Sequence, residues 1–151
     1  MLVFTRFVDE SARLVEQIPG AAMVSADTPA DERAQILGGF RSGQIRVVSN
    51  VGILAVGFDY PELEAVVLAR PSVSLALYYQ QVGRVIRPHP GKPCAHVVDL
   101  VGLVKQFGRI EDLTLQPGGA KGEQWVVASA DRPLTNIYFG DRDQFRKGSP
   151  Q

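Results

Sequence analysis

Two short runs, Ile45 to Ser49 and Ala65 to Ala69, are apolar almost without interruption. A strand with one wet face alternates polar and apolar residues. A near-continuous run belongs instead to a parallel strand covered by helices on both faces. The rest of the chain repeats this logic. Met1 to Thr5, Ala21 to Val24 and Ala95 to Leu100 read as further strands. Asp9-Glu10-Ser11 opens a helical pattern with apolar Ala12, Leu14, Val15 and Ile18, closed by Pro19-Gly20. A second helix is predicted with Thr28 as its N-cap, Pro29 at its first position and Asp31 and Glu32 in its first turn. It runs through Ile36, Leu37 and Phe40 to Ser42-Gly43, and Ser74 to Val85 is predicted as a third. This alternation predicts an α/β fold: a doubly wound, mostly parallel sheet with helices on both faces. Ligands of such a sheet sit at the carboxyl ends of its strands, here Thr5-Arg6, Ser25 to Thr28 and Ser49-Asn50.

After Ile110 the pattern changes. Gln116 to Gly122 holds three glycines and a proline and reads as a linker or long turn. Gln124 to Ala128 and Leu134 to Phe139 are predicted to pair as a β-hairpin around Ser129 to Pro133. The expected organisation is therefore a lobe over 1–115, a linker and hairpin extension over 116–140, and a polar, disordered tail over 141–151.

The formal net charge is zero, so any nucleic-acid binding must come from a local patch and not from the whole-chain field. The lone Cys94 excludes an internal disulfide and a multi-cysteine zinc site, in keeping with a reducing, cytoplasmic setting. No apolar run is long enough to span a bilayer, and Met-Leu-Val-Phe-Thr-Arg lacks the order of a signal peptide. His89 lies between two prolines, and His96 alternates with apolar residues. Neither shows ligand spacing with a second thiol, so no metal is expected here. Trp125, Tyr138 and Phe139 are read as packing residues of the hairpin before base-stacking ones.

The candidate chemistry lies in Tyr79-Gln80-Gln81-Val82-Gly83-Arg84-Val85-Ile86-Arg87-Pro88. Arg84 and Arg87 follow a glycine at the end of an apolar helical segment, and residues three apart share a helix face. Two guanidinium forks on one face suit a spread negative charge such as a triphosphate. By themselves they fit surface salt bridges better. Upstream, Ser49-Asn50-Val51-Gly52-Ile53-Leu54-Ala55-Val56 leads into Gly57-Phe58-Asp59. A lone Gly-x-Asp is a weak signal, and Asp59 before Tyr60-Pro61 also fits a turn acid capping its own backbone.

In this order the two segments resemble motifs V and VI of the superfamily-2 helicases and translocases, and the resemblance covers Leu2 to Arg109. It implies the C-terminal RecA-like lobe of a DNA helicase or translocase, with RNA the less favoured substrate. Val98-Asp99-Leu100, Gly102 and Phe107-Gly108-Arg109 are similar to the segment after motif VI in phage, bacterial and restriction-enzyme motors. The resemblance assigns Arg84 and Arg87 to the γ-phosphate of ATP across a cleft, and Gln80 to ATP contact or coupling between lobes. Gly83, Gly57 and Asp59 fall with the nucleotide site, where Asp59 would accept from the ribose or hold the motif VI loop. The extra arginine of some branches would fall at Gln81 and is absent. Thr5, Arg6, Asp27, Thr28, Arg33, Ser49 and Asn50 would line the nucleic-acid face, gripping phosphate without reading bases. Helix capping serves Thr28 equally well, and Arg33 can equally pair with Asp31 or Glu32.

There is no Gly-x-x-x-x-Gly-Lys-Ser/Thr loop and no Asp-Glu pair after an apolar strand. The resemblance therefore places ATP and Mg²⁺ mainly on an N-terminal RecA-like lobe, in the same full-length chain or a separate one. Residues 1–151 alone are expected not to hydrolyse ATP. Two alternatives stay open: a non-catalytic module of the same fold that docks nucleic acid or a partner, and an unrelated nucleotide- or sugar-phosphate-binding enzyme. The second needs a glycine-rich turn after the first strand, which Thr5-Arg6-Phe7-Val8 does not supply.

Overall fold

The computed structural model describes residues 1–53, 59–118, 124–130 and 132–135. The chain divides into two compact units, Met1–Leu103 and Val104–Gln151, where composition placed the division at 115.

The first unit is a five-stranded, wholly parallel sheet. It comprises β1 (Leu2–Thr5), β2 (Ala21–Val24), β3 (Val47–Val51), β4 (Ala65–Leu68) and β5 (His96–Asp99) in the order β2-β3-β1-β4-β5. β1 is central, with Leu2 opposite Val48 on one side and Val66 on the other. All four of its residues are buried, as a run sandwiched between helices must be. Leu2, Phe4, Val24, Val48, Val66 and Leu68 form the core with Leu63, Tyr78, Val82 and Val85. The connections use α1 (Val8–Gln17), α2 (Ala30–Arg41) and α3 (Leu75–Val82).

Several element ends differ from expectation, three of them for a clear local reason. β3 starts at Val47 and not at Ile45. The Ile45 N–H is taken by the Gly39 carbonyl at 3.0 Å, which draws Ile45 into the turn after α2. Its Cδ1 lies 3.0 Å from where a Cβ on Gly39 would stand, so that helical glycine permits the close approach. Thr28 does not cap α2. Pro29 occupies the cap position, and the Thr28 hydroxyl accepts the Ser25 N–H at 2.9 Å within the preceding turn. α3 is capped by Ser74, whose Oγ accepts from Leu77 N, and it ends at Val82. Val85 is therefore beyond the helix.

The second unit begins within α4 (Leu103–Phe107) and a 3-10 turn at Ile110–Asp112. Its antiparallel sheet holds β6 (Leu113–Gly118), β7 (Gln124–Ser129) and β8 (Arg132–Pro133). The start of the expected hairpin is present, with the Leu134 N–H donating to the Val127 carbonyl at 2.9 Å, and a further partner strand precedes it. β7 pairs along its length with β6, from Leu113 opposite Ser129 to Gly118 opposite Gln124, and β8 adds only two residues on the other side. Gln116, Pro117 and Gly118 are strand, not linker. Pro117 lacks a ladder donor, but β6 is an edge strand, where proline is tolerated. Val126 and Ala128 are this sheet's buried residues. Residues 136–139 of the expected hairpin and the tail over 141–151 lie outside the described residues. Among the described residues no helix is long and apolar enough to cross a membrane.

Candidate nucleotide and nucleic-acid site

β4 leads through Ser74 into α3, and α3 delivers the arginines. Gly83 closes the helix with α-type φ and ψ of −55° and −18°, its N–H on the Tyr79 carbonyl at 2.8 Å. Arg84 N then bonds Gln81 O at 3.3 Å and Val85 N bonds Val82 O at 3.0 Å. Arg84 thus sits in a tight turn that extends the helix, while Arg87 lies past it. Their proximity comes from this turn and not from a shared helix face. Arg87 Nη1 donates to Asp59 Oδ1 across a separation of 28 residues. That pair is solvent-accessible, with side chains 38% and 72% exposed.

Arg84 is half-buried. Burial first, and then the neighbouring Arg87, pushes its pKa below the ordinary arginine value, with Asp59 opposing. Arginine holds its proton regardless, so the result is two adjacent fixed cations facing one carboxylate. This is a donor set for an anion larger than a carboxylate. Gln80 is exposed on the last turn of α3. Gly57 lies outside the described residues.

Gln81 is 1% exposed, so its side chain points into the fold. Its Oε1 is buried and finds no hydrogen-bond partner among the described residues. An unsatisfied buried amide oxygen costs about 1–3 kcal/mol. Gln81→Met keeps the side-chain length and removes that atom. It is expected to stabilise the chain by ~1 kcal/mol, read as a higher urea midpoint at unchanged slope.

The remaining candidates separate by burial. Thr5, Ser49 and Asn50 lie at the carboxyl ends of β1 and β3, but they are 3%, 0% and 1% exposed. The Thr5 hydroxyl donates to the Asn50 carbonyl at 3.3 Å, and the Ser11 hydroxyl donates to Ser49 Oγ at 2.5 Å. Asn50 Oδ1 accepts the Ile53 N–H at 3.2 Å and shapes the loop that follows β3. These bonds tie β3 to β1, to α1 and to the loop that follows it. Asp27 and Arg6 are exposed, and the Arg6 guanidinium lies 4.8 Å over the Phe7 ring. Glu10 Oε2 accepts the Arg6 and Phe7 N–H groups, both at 3.3 Å. Arg33 Nη2 donates to the Thr28 carbonyl at 2.9 Å, so it pairs with backbone and not with Asp31 or Glu32.

One contributor escaped the sequence reading. Lys92 Nζ donates to Pro61 O at 2.6 Å, Val85 O at 2.8 Å and Leu63 O at 3.1 Å. Nearby, His89 Nε2 lies 3.6 Å from Glu62 Oε1. A lone lysine between Gly91 and Pro93 carries no pattern that announces three carbonyl acceptors. Cys94 Sγ and His96 Nε2 are 3.2 Å apart on the exposed edge.

A parallel sheet in the order β2-β3-β1-β4-β5 with helices packed on it is a RecA-like fold. Residues 1–89 match the helicase conserved C-terminal domain, and the chain belongs to that family. It is 37% identical over 79 residues to IRC3 of Saccharomyces cerevisiae, a protein provisionally named an ATP-dependent helicase. That match spans 52% of this chain and 12% of IRC3. The fold is shared with the ATP-dependent type ISP restriction-modification enzyme LlaBIII bound to DNA. There the TM-score is 0.57 at 24% identity, over 66% of this chain and 8% of that one. It is shared equally with domain 2 of the DEAD-box helicase Mss116p bound to an RNA duplex, with TM-score 0.57, 17% identity and coverages of 70% and 44%.

Proposed function

We propose that this chain is the second motor lobe of an ATP-dependent helicase or translocase acting on nucleic acid, DNA in preference to RNA. The observation that carries the reading is the Arg84–Arg87 pair set against Asp59. Two guanidinium groups that never lose their charge stabilise charge developing on a transferring phosphoryl group, and phosphoryl transfer asks for little beyond such positioning and charge. ATP with Mg²⁺, when bound, supplies the phosphoryl chemistry and is held mainly by an N-terminal RecA-like lobe bearing the phosphate loop and acidic pair.

The donor set here fits a polyphosphate. Arg87 is accessible and, among the described residues, is paired with an exposed carboxylate, a weak bond that a more highly charged oxyanion outcompetes. Gln80, exposed one turn before Arg84, contacts the same ligand or the facing lobe. Gly83 shapes the turn, and Asp59 holds Arg87 from the facing loop, with Gly57 assigned beside it to the nucleotide site. On the nucleic-acid face, Arg6, Asp27, Thr28 and Arg33 stand at the carboxyl edge, while the buried Thr5, Ser49 and Asn50 hold the loop backbone that meets the phosphates. The preference for DNA rests on Val98-Asp99-Leu100, Gly102 and Phe107-Gly108-Arg109.

The test is reconstitution. Residues 1–151 alone are expected to show no ATP turnover above background, because they hold no phosphate loop. Joined to an N-terminal lobe that carries one, the pair is expected to hydrolyse ATP, stimulated more by DNA than by RNA. Robust turnover by residues 1–151 alone would falsify the reading. Stimulation by RNA alone would reverse the substrate preference. Salt-dependent single-strand binding untouched by loss of both arginines, with no turnover in any pairing, would favour a docking module.

A further inference from the structure

Two loops build the arginine site. One runs from Asp59 to Glu64, the other from Val85 to Pro93. Three ties join them: Arg87 to Asp59, His89 to Glu62, and Lys92 to three carbonyls. The first two link side chains with substantial exposure, and such pairs are worth little. The third differs in kind. An ammonium has three hydrogens, and each meets one backbone oxygen. Two of those oxygens, on Pro61 and Leu63, belong to the loop that Asp59 opens. The third, on Val85, lies between the two arginines. Hydrogen bonds from a charged donor are the stronger class, and backbone acceptors leave no side-chain rotamers to absorb slack.

We propose that Lys92 is the positioning residue of the arginine site: its ammonium fixes the spacing of the two loops, so that Arg87 meets Asp59 in one geometry and Arg84 is presented beside it. The site is thereby preorganised by a cation held on backbone oxygens, with Asp59 as the carboxylate that Arg87 meets. Lys92 is partly buried. Burial pushes its pKa below 10.5, with Glu64 opposing. The carbonyl cage supplies what water would otherwise give this desolvated cation.

The proposal deepens the motor-lobe reading, yet its test needs no nucleotide, so the two can fail separately. The Arg87 Nη1–H resonances are followed in residues 1–151 and in Lys92→Met, Lys92→Arg and Asp59→Asn chains. The amides of Val3, Val48 and Val66 report on the sheet. In Lys92→Met the Arg87 signal is expected to shift to its Asp59→Asn position and to exchange with solvent up to about fivefold faster, the scale of one lost exposed ion pair. The sheet amides are expected to hold still, and Lys92→Arg, which restores a charged donor, to return Arg87 towards its original signal. An unchanged Arg87 signal in Lys92→Met overturns the proposal. So does a shift shared in equal measure by the sheet amides, or failure of both Lys92 variants to fold, since Lys92 then serves the whole fold and not the site.

Discussion

In a two-lobe motor containing this chain, Arg84→Ala and Arg87→Ala are each expected to lower ATP turnover by about 10³- to 10⁵-fold, the range of an arginine finger. The expected effect on folding is far smaller, and the contrast is the diagnostic. Arg87 bonds an exposed carboxylate, a pair contributing roughly 0–1 kcal/mol, so Arg87→Ala leaves the melting temperature almost in place. Arg84 is half-buried, and its stem packs, so some stability goes with it. Arg84→Lys separates the two contributions. It keeps the charge and most of the stem but loses the planar fork, and is expected to recover stability without recovering turnover. Single-turnover hydrolysis beside thermal melts makes the comparison. Turnover at the original level in both alanine variants sinks the assignment.

The sheet was legible because its physics is local. A buried parallel strand must be apolar on both faces, and β2 falls on Ala21–Val24 as its composition indicates. The misread ends are places where a distant or competing bond wins. Ile45 belongs to the β-type run by composition, but the Gly39 carbonyl claims its N–H. Thr28 is an apt cap, but its hydroxyl closes the Ser25 turn. Gly and Pro in Gln116 to Gly118 signal a linker only if the neighbouring strand is unknown; on the edge of a β6–β7 pair they remain strand.

The site was legible in kind but not in geometry. Arg84 and Arg87 by themselves fit surface salt bridges, and they stood out because they follow Gly83 downstream of the Gly57-Phe58-Asp59 segment in the order of a known motif pair. The pairing of Arg87 with Asp59 crosses 28 residues, and no local period encodes it. Ser49 and Asn50 are polar and follow a strand, which reads as exposed surface. The structure buries both, because β3 lies between β1 and β2 and hydroxyl and amide groups can be satisfied there by each other and by backbone. Lys92 shows the limit most clearly. Its three acceptors are main-chain oxygens, which every residue has, so no sequence feature distinguishes them.

Gly83→Ala is expected to weaken the lobe and to slow the motor more than its small volume suggests. Two effects oppose each other. Alanine favours helical backbone over glycine by about 1 kcal/mol, and Gly83 already has α-type angles, so propensity alone predicts stabilisation. Against this, a Cβ at 83 would stand 2.8 Å from the Tyr79 carbonyl oxygen, a backbone atom that cannot swing aside. The clash wins because relief requires opening the turn, and that stretches the 2.8 Å Gly83 N to Tyr79 O bond. A net loss of ~1–2 kcal/mol follows, within the range for overpacking a fixed backbone. The turn it opens is the one that places Arg84, through the Gln81 and Val82 carbonyls. A displacement of about 1 Å at a positioning element lowers turnover by roughly 10²-fold, so the kinetic loss is expected to exceed what the stability loss alone would give. Urea unfolding of the chain, compared with saturating-ATP turnover of the two-lobe assembly at a temperature where both proteins are fully folded, measures the two separately. An alanine variant that is more stable and fully active means that the turn relaxes without moving Arg84, and that its geometry is not what catalysis depends on.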